Sequence, residues 1–478
     1  MAIVLVAAGL AQTTAAPGDW QEYISFTLSE RLRGEFVDWF RPPEGTAAPG
    51  AERYDFFASQ LRAGLRATFP HAQLVVEVQD TRIAGLPDDA SLPPPAGNLG
   101  PGAIYFAHTR DTSQGKVFLK QGHVTLRHSG YAASIGRMEY SDGLETVPAD
   151  PTLAWLKRWR IAERLVGPFG YTHVQRSFDA VRAVYDRADF NLTALLAHPT
   201  HGGFEVSANR ELDDVNLAGL AFTLKQDPQR PPSDLRLFYL YYEDDRDQPV
   251  KVDNRPLGVR AADRDLIAIH TFGGHAITAI EAGPGIVDGL AWTALQTGEW
   301  GGLDHGAWAY AVEAGYQWPR WPGDPWLRVG YNGSSGDDRP GDGEHDTFFQ
   351  VLPTSRPYAQ LPFFNLMNNE DLFAQLILKP HPRVSVRADY HWLRLAEAGD
   401  LWYSGGGATN EDIFGYSGIP SGGSSELAHL LDVGITFRLH ERLTAYAYYG
   451  HAFGRGVVKN TFAGEDADYG YLELTFRY

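Results

Sequence analysis

Apolar and polar residues alternate with a period of two along many short stretches of the chain. Residues 57–69, 383–393, 431–439 and 469–478 each carry apolar side chains on one face and polar side chains, repeatedly arginine, on the other. Because successive side chains of a β-strand point to opposite sides, this alternation predicts half-buried strands. The sequence therefore predicts an all-β fold.

The same pattern predicts eighteen strands along the whole chain. They lie near residues 23–40, 54–69, 72–83, 115–129, 131–140, 177–187, 189–198, 215–226, 234–243, 263–274, 287–299, 306–318, 324–333, 371–380, 382–395, 428–439, 441–453 and 468–478. Connections after even-numbered strands are mostly tight turns, whereas those after odd-numbered strands include the long segments 84–114, 141–176, 334–370 and 396–427. The link at 300–305 is the exception, because it is short where a long loop is expected.

Short turns at one rim and long loops at the other are typical of transmembrane β-barrels. We therefore predict a single antiparallel transmembrane β-barrel of about 18 strands, with short periplasmic turns and long extracellular loops, in the outer membrane of a Gram-negative bacterium. No apolar run reaches the ~18 residues that a spanning helix needs. A closed barrel of this size leaves an aqueous lumen, so the predicted function is a channel rather than an enzyme.

Composition changes this picture little. The mean hydropathy is −0.29, and aromatic residues make up 13% of the chain, with 23 Tyr and 12 Trp. Tyr and Trp suit a membrane–water interface, but a soluble carbohydrate-binding β protein is also aromatic-rich, so that alternative stays open. The net charge of −18 argues against nucleic acid as a partner.

Both ends of the sequence suggest export. Residues 1–16 resemble a secretory signal, with small residues at a cleavage position after Ala11 or Ala16, which leaves the barrel to residues 17–478. The last strand alternates and ends on Tyr478, like the signal that the barrel assembly machinery reads in outer-membrane proteins. Outer-membrane lipid and that machinery are therefore the expected partners.

The polar faces of the predicted strands carry an unusual number of arginines. Alternation places Arg31, Arg33, Arg62, Arg66, Arg127, Arg328, Arg383, Arg387, Arg438 and Arg477 toward the lumen. Guanidinium groups pair with carboxylates through two parallel hydrogen bonds, so this lining favours an anionic substrate. The opposing interpretation is a neutralised wall, because Glu35, Glu77, Asp389, Asp432 and Glu473 are predicted to face inward as well.

Two further kinds of site are weaker. Asp337, Asp338, Asp342 and Asp346, with Glu344, are candidate Ca²⁺ ligands in a glycine-rich loop, although their spacing matches no EF-hand and a solvated loop is the alternative. No other cofactor is predicted. A barrel hydrolase needs a nucleophile with a base, and His123, His128 and His391 have no serine elbow beside them.

Several motifs occur in an order that resembles the alginate export family of outer-membrane porins. The principal one is Tyr331–Pro353, which reads YNGSSGDDRPGDGEHDTFFQVLP. The others are Gly136–Tyr140, Arg176–Arg182, Leu378–His381, Leu393–Leu395 and Asp400–Tyr403. The resemblance covers roughly residues 20–478 and implies a monomeric barrel whose arginine-lined constriction passes an acidic polysaccharide such as alginate or its oligomers. It also implies that Arg137 and Arg182 face the lumen. A porin for other small anions or organic acids remains the alternative.

Overall fold

The computed structural model describes residues 22–206, 210–225, 231–247, 249–354, 360–407 and 409–478. The predicted signal at residues 1–16 lies outside these ranges and stays a prediction. Helices of the described residues are short, and none is long and apolar enough to cross a membrane.

Eighteen antiparallel strands form the wall of the molecule. They are β1 Ile24–Asp38, β2 Arg53–Thr68, β3 Ala72–Ala84, β4 Ser113–His128, β5 Tyr131–Met138, β6 Phe178–Asp186, β7 Phe190–Pro199, β8 Val215–Leu224, β9 Ser233–Asp244, β10 Ile267–Ala282, β11 Gly285–Trp300, β12 Leu303–Gln317, β13 Trp326–Ser334, β14 Glu370–His381, β15 Val384–Arg394, β16 Glu426–His440, β17 Leu443–Gly454 and β18 Asp466–Arg477. Each pairs with its neighbours in sequence, and β1 pairs with β18 from Ser29 opposite Arg477 to Asp38 opposite Asp468. The sheet closes on itself, which confirms the predicted eighteen-stranded barrel.

One predicted strand ended too early. The sequence predicted that the tenth strand stops at residue 274, but β10 continues to Ala282 and turns at Gly283 and Pro284. In the structure the Phe238 ring packs over Gly273, where an added Cβ would lie 2.3 Å from the ring. This glycine therefore admits a neighbouring side chain rather than ending the strand.

The rims differ as predicted. Turns after even-numbered strands are short, such as residues 129–130, 283–284 and 441–442, and define the periplasmic rim. Loops after odd-numbered strands include residues 85–112, 139–177, 335–369 and 395–425, and the link between β11 and β12 is short, at residues 301–302.

Aromatic residues on the outward face mark the two edges of the membrane. Trp308, Tyr310 and Tyr331 stack in a row at the extracellular edge of β12 and β13. At the periplasmic edge the rings of Tyr131 and Tyr185 stack with their centroids 4.4 Å apart. Between such girdles the outward positions are apolar, as expected where a barrel contacts hydrocarbon.

Four short helices and a hairpin lie in the extracellular loops. They are α1 Pro101–Thr109, α2 Pro151–Leu156 followed by the π-turn Lys157–Ile161, α3 Leu257–Ala262, α4 Gly456–Thr461, and the hairpin Leu401–Gly405 with Tyr416–Pro420; Glu344–His345 forms a two-residue strand beside β12. Their aromatic side chains pack together, with Trp300 against His345, Phe349 and Phe414. The loops thus build a buried core inside the extracellular half of the barrel.

Candidate functional site

The loop between β5 and β6, residues 139–177, folds into the lumen and is called the inner loop below. One of its anchors is Glu313 of β12, whose fully buried carboxylate accepts hydrogen bonds from Arg160 at 2.8 Å and from Arg164 at 3.2 Å. Arg328 of β13 donates to the same carboxylate at 2.9 Å and also pairs with Asp288. Three guanidinium groups therefore share two buried acids, and they join the loop to the wall.

A second set of ion pairs ties the inner loop to β9. Lys157 lies 2.8 Å from Asp234, which also contacts His275. In the opposite sense, Arg236 of β9 pairs with Asp142 and Glu145 of the loop at 2.5 and 2.7 Å. The loop and the wall each supply both acidic and basic side chains to this contact, so it does not join a purely acidic surface to a purely basic one.

On the other side of the lumen the wall binds the backbone of the inner loop. Arg31 donates to the carbonyls of Gly170 and Thr172, Arg33 to Tyr171, Gln60 and Gln79 to His173, and Lys120 to Arg176. Six of the seven carbonyl oxygens between residues 170 and 176 thereby accept a bond from an inward side chain of β1–β4, since Val174 is also bound by Gln79. The segment crosses these strands from β1 to β4 through a series of turns and bends.

Other extracellular loops pack behind the inner loop. The backbone of Gly167 and Leu165 pairs with Leu352 of loop 335–369 at 2.9 and 2.8 Å. Arg176 donates to the carbonyl of Gly407 in loop 395–425 at 2.7 Å. Loops 335–369 and 395–425 both pack against the inner loop.

Ten of the twelve predicted lumen arginines face inward, and these ten fall into two groups. The first group faces inward but is already engaged with acids or with the inner loop. Arg33 is 2.7 Å from Glu473, Arg62 contacts Glu77 and Glu139, and Arg387 pairs with Asp389. Together with Arg31 and Arg328 these residues form a largely neutralised wall.

The second group also faces inward, at the periplasmic ends of the strands, and is called the wall arginines below. They are Arg66, Arg127, Arg182, Arg438 and Arg477. None of them has a carboxylate within ion-pair distance among the residues that the structure describes. Arg127 and Arg182 line a cavity of about 900 Å³ beneath the inner loop, in which Arg182 has a buried Nε without a hydrogen-bond partner. The same cavity is also lined by four acids, each of which is paired with another cation: Glu139, Glu145, Asp186 and Asp234. Arg127 and Arg182 are thus cations of this lining without an acidic partner among the described residues.

Two predicted lumen arginines lie elsewhere. Arg137 shares the outward face of Ile135 and Val181, which are 63% and 49% exposed, and it binds Asp179 with a distance of 2.7 Å from Nε to Oδ1. The resemblance had placed it inside, but each step from the outward Ile135 reverses the face, so Arg137 faces outward again. Arg383 lies in the exposed turn between β14 and β15 and not on a strand.

Sequence reasoning missed several cations of the lumen. Lys120 is buried and faces inward because the pairing of β3 and β4 shifts register next to it, and such a bulge reverses the alternation. Arg160 and Arg164 lie on a loop, where no period of two exists, although their spacing of four indicates a helical turn. Arg236 alternates with Leu235 and Leu237, so the pattern used for the other strands would have found it.

Two buried acids of the inner loop have pKa values shifted in opposite directions. Burial raises the pKa of the Glu163 carboxyl, which has a serine hydroxyl, Ser141, as a hydrogen-bond donor at 2.7 Å. Burial acts in the same sense on Glu139, but the adjacent Lys120 and Arg62 outweigh it and lower the pKa of that carboxyl. Glu139 therefore forms ion pairs with Lys120 and Arg62 and belongs to the neutralised part of the wall.

The acidic loop partly assembles. Asp337, Asp338 and Asp346 place their carboxylate oxygens within 4.8 Å of one another, whereas Asp342 lies 3.7 Å from Arg339. Burial and the neighbouring Asp400 raise the pKa of Asp337 to about 6. Such groups are common without an ion, so the Ca²⁺ site stays a prediction.

Comparisons with known proteins agree with this geometry. A family model described as alginate export matches residues 22–460, while no curated protein matches the sequence. OccK9 (OpdG) of Pseudomonas aeruginosa superposes with a TM-score of 0.59 at 12% identity, over 96% of this chain and 99% of its own. The BenF-like porin of Pseudomonas fluorescens Pf-5 gives 0.59 at 7% identity over 96% and 99%. OccK2 (OpdF) of Pseudomonas aeruginosa, solved in complex with glucuronate, gives 0.56 at 10% identity over 95% and 98%. At these identities the likeness shows the fold.

Proposed function

The chain belongs to the alginate export family and forms a channel in the outer membrane of a Gram-negative bacterium, and we propose that this channel passes acidic sugars through its lumen. The observation that carries the proposal is a set of inward arginines without acidic partners. Other inward arginines are neutralised by ion pairs within the wall or with the inner loop, whereas the wall arginines have no acidic partner among the described residues.

Unpaired guanidinium groups in a confined aqueous space attract carboxylates. A pair of unit charges 4 Å apart gains about 1 kcal/mol in bulk water and about 4 kcal/mol at the reduced effective dielectric near a protein surface. Several arginines along one wall lower the barrier for an anion, and their number lets it move from one to the next. A uronate carboxylate also fits the planar fork of arginine.

The size of the open space favours short substrates. The cavity beneath the inner loop, about 900 Å³, is within the range of small-molecule sites and suits one or a few sugar units. The extracellular half is filled by loops, so passage of a longer polyuronate requires the inner loop to move. Single uronates and other small organic acids are therefore the alternative to longer polyuronates as substrates. OccK2 was solved in complex with glucuronate, which supports single uronates.

Planar-bilayer recordings test the proposal. We expect anion-selective reversal potentials for the wild type, reduced when Arg66, Arg127 and Arg182 are replaced together by Ser. The control Arg82→Ser removes an arginine from the outward face of β3, where it pairs with Asp80. Uronate oligomers should block the current in the wild type. Cation selectivity, or equal changes in the triple variant and the control, would refute the proposed path.

A further inference from the structure

The π-turn of the inner loop divides its side chains between two environments. Lys157 and Arg160 are buried in ion pairs with Asp234 and Glu313. The two residues between them, Arg158 and Trp159, are exposed. Because both flanking residues are fixed to inward positions of the wall, the exposed pair must face the lumen rather than the membrane. Single π-turns of this kind occur frequently at functional sites.

The pair lies near the periplasmic mouth. Asp234 is the second residue of β9, which begins at the periplasmic rim, and Glu313 is close to the periplasmic end of β12 at Gln317. The π-turn is thus held in the same half of the lumen as the wall arginines. Arg158 has no carboxylate within ion-pair distance among the residues that the structure describes.

Trp159 is exceptional among the aromatic residues of the inner loop. Tyr140, Phe169 and Tyr171 are each at least 92% buried, and Trp155 is packed against Trp326, whereas Trp159 is 52% exposed. An indole face in water at a position that is held rigidly on both sides is unfavourable unless a ligand covers it. The membrane is not available to cover it, since the residue lies inside the barrel.

We propose that Arg158 and Trp159 form a recognition site for a sugar ring that carries a carboxylate, that is, one uronate residue of the substrate. The site rests on the proposed function and adds ring recognition to it. The apolar face of the pyranose covers the indole, and the guanidinium of Arg158 binds the carboxylate. The wall arginines attract any anion, so the indole is what distinguishes a ring carboxylate from chloride or phosphate.

The test is the block of single-channel current by short uronate oligomers. Trp159→Ala should raise the half-blocking concentration about tenfold, and Trp159→Phe should retain most of the affinity because a flat ring remains. Arg158→Gln should weaken the block by uronate oligomers and leave the weak block by neutral oligosaccharides of the same length unchanged. Both side chains are exposed and take part in none of the ion pairs that anchor the loop, so the variants are expected to fold.

The chain supplies a matched control. Arg320 and Trp321 repeat the same pair of residues in the exposed turn between β12 and β13, where Trp321 is 55% exposed and outside the lumen. Uronate oligomers should block the double variant Arg320→Gln with Trp321→Ala at the same concentration as the wild type. An unchanged block in Trp159→Ala, or an equal loss in the control, overturns the inference. A Trp159-dependent block by benzoate but not by uronate overturns the sugar assignment.

These outcomes are separable from the proposed function. Reversal potentials in chloride depend on the wall arginines and should not change in Trp159→Ala. If the channel is anion-selective but Trp159→Ala does not change the block by uronate oligomers, only the recognition site is refuted. A cation-selective wild-type channel would refute the proposed function itself.

Discussion

The anchor at Glu313 allows one prediction to be worked out in detail. Glu313→Gln keeps the shape of the side chain and removes a carboxylate that Arg160 and Arg164 share. All of these side chains are essentially inaccessible to solvent. The substitution therefore removes one negative charge from a buried cluster of three arginines, while Arg328 retains Asp288.

The magnitude follows from the burial. Removing one partner of a buried ion pair typically destabilises by about 3–5 kcal/mol. The wall itself is held by the hydrogen bonds of a closed sheet. The destabilisation should therefore reduce the free energy that attaches the inner loop to the wall and not the stability of the barrel. The equilibrium between attached and released loop should then shift by a factor of about one hundred to several thousand toward release.

Two measurements check this prediction. Amide hydrogen exchange of residues 157–166 should become faster in Glu313→Gln, and single-channel conductance should increase because the released loop opens the lumen. Glu243→Gln is the control, since Glu243 faces outward on β9 and bonds Asn216 and Tyr241 instead of the loop. Unchanged exchange and conductance in a folded Glu313→Gln barrel would show that this cluster does not hold the loop.

Three further predictions address the loops and the wall. Burial raises the pKa of Asp337 to about 6, so the ionised carboxylate destabilises the packed conformation of loop 335–369. Hydrogen exchange of this loop should therefore become slower as the pH falls from 7 to 5 and Asp337 takes up a proton. Asp337→Asn should abolish this pH dependence of the exchange rate. Leu196→Asp introduces a charge at a 64% exposed outward position, which should weaken assembly into lipid vesicles by less than the ~2–4 kcal/mol that Arg or Lys costs at the bilayer midplane, whereas Thr193→Asp on the inward face should have a smaller effect. Gly136→Ala should lower the unfolding temperature, because Gly136 has φ +119° and an added Cβ would lie 2.3 Å from the carbonyl oxygen of Gly122; an unchanged temperature would contradict this steric argument.

Alternation predicted the wall because it is a local property of each strand. Every strand tests the pattern independently, so an error such as the early end at Gly273 and Gly274 does not spread to its neighbours. The same parity placed Arg31, Arg62 and Arg387 on the inward face. It failed at Lys120, where a bulge reverses the face. At Arg137 the resemblance implied an inward side chain, and the structure places it outward, on the face of Ile135.

The sequence by itself determined the number of strands, the short and long rims and the face of most inward arginines, since each depends on neighbours a few residues away. Only the tertiary structure decided which of those arginines remain unpaired. Arg33 meets Glu473, which is 440 residues away, and Arg31 meets the carbonyl of Gly170, which is 139 residues away. No local pattern records such contacts, because they are made when the barrel closes and the inner loop folds into it. The exposure of Trp159 has the same origin, since it follows from where the two ion pairs beside it hold the loop.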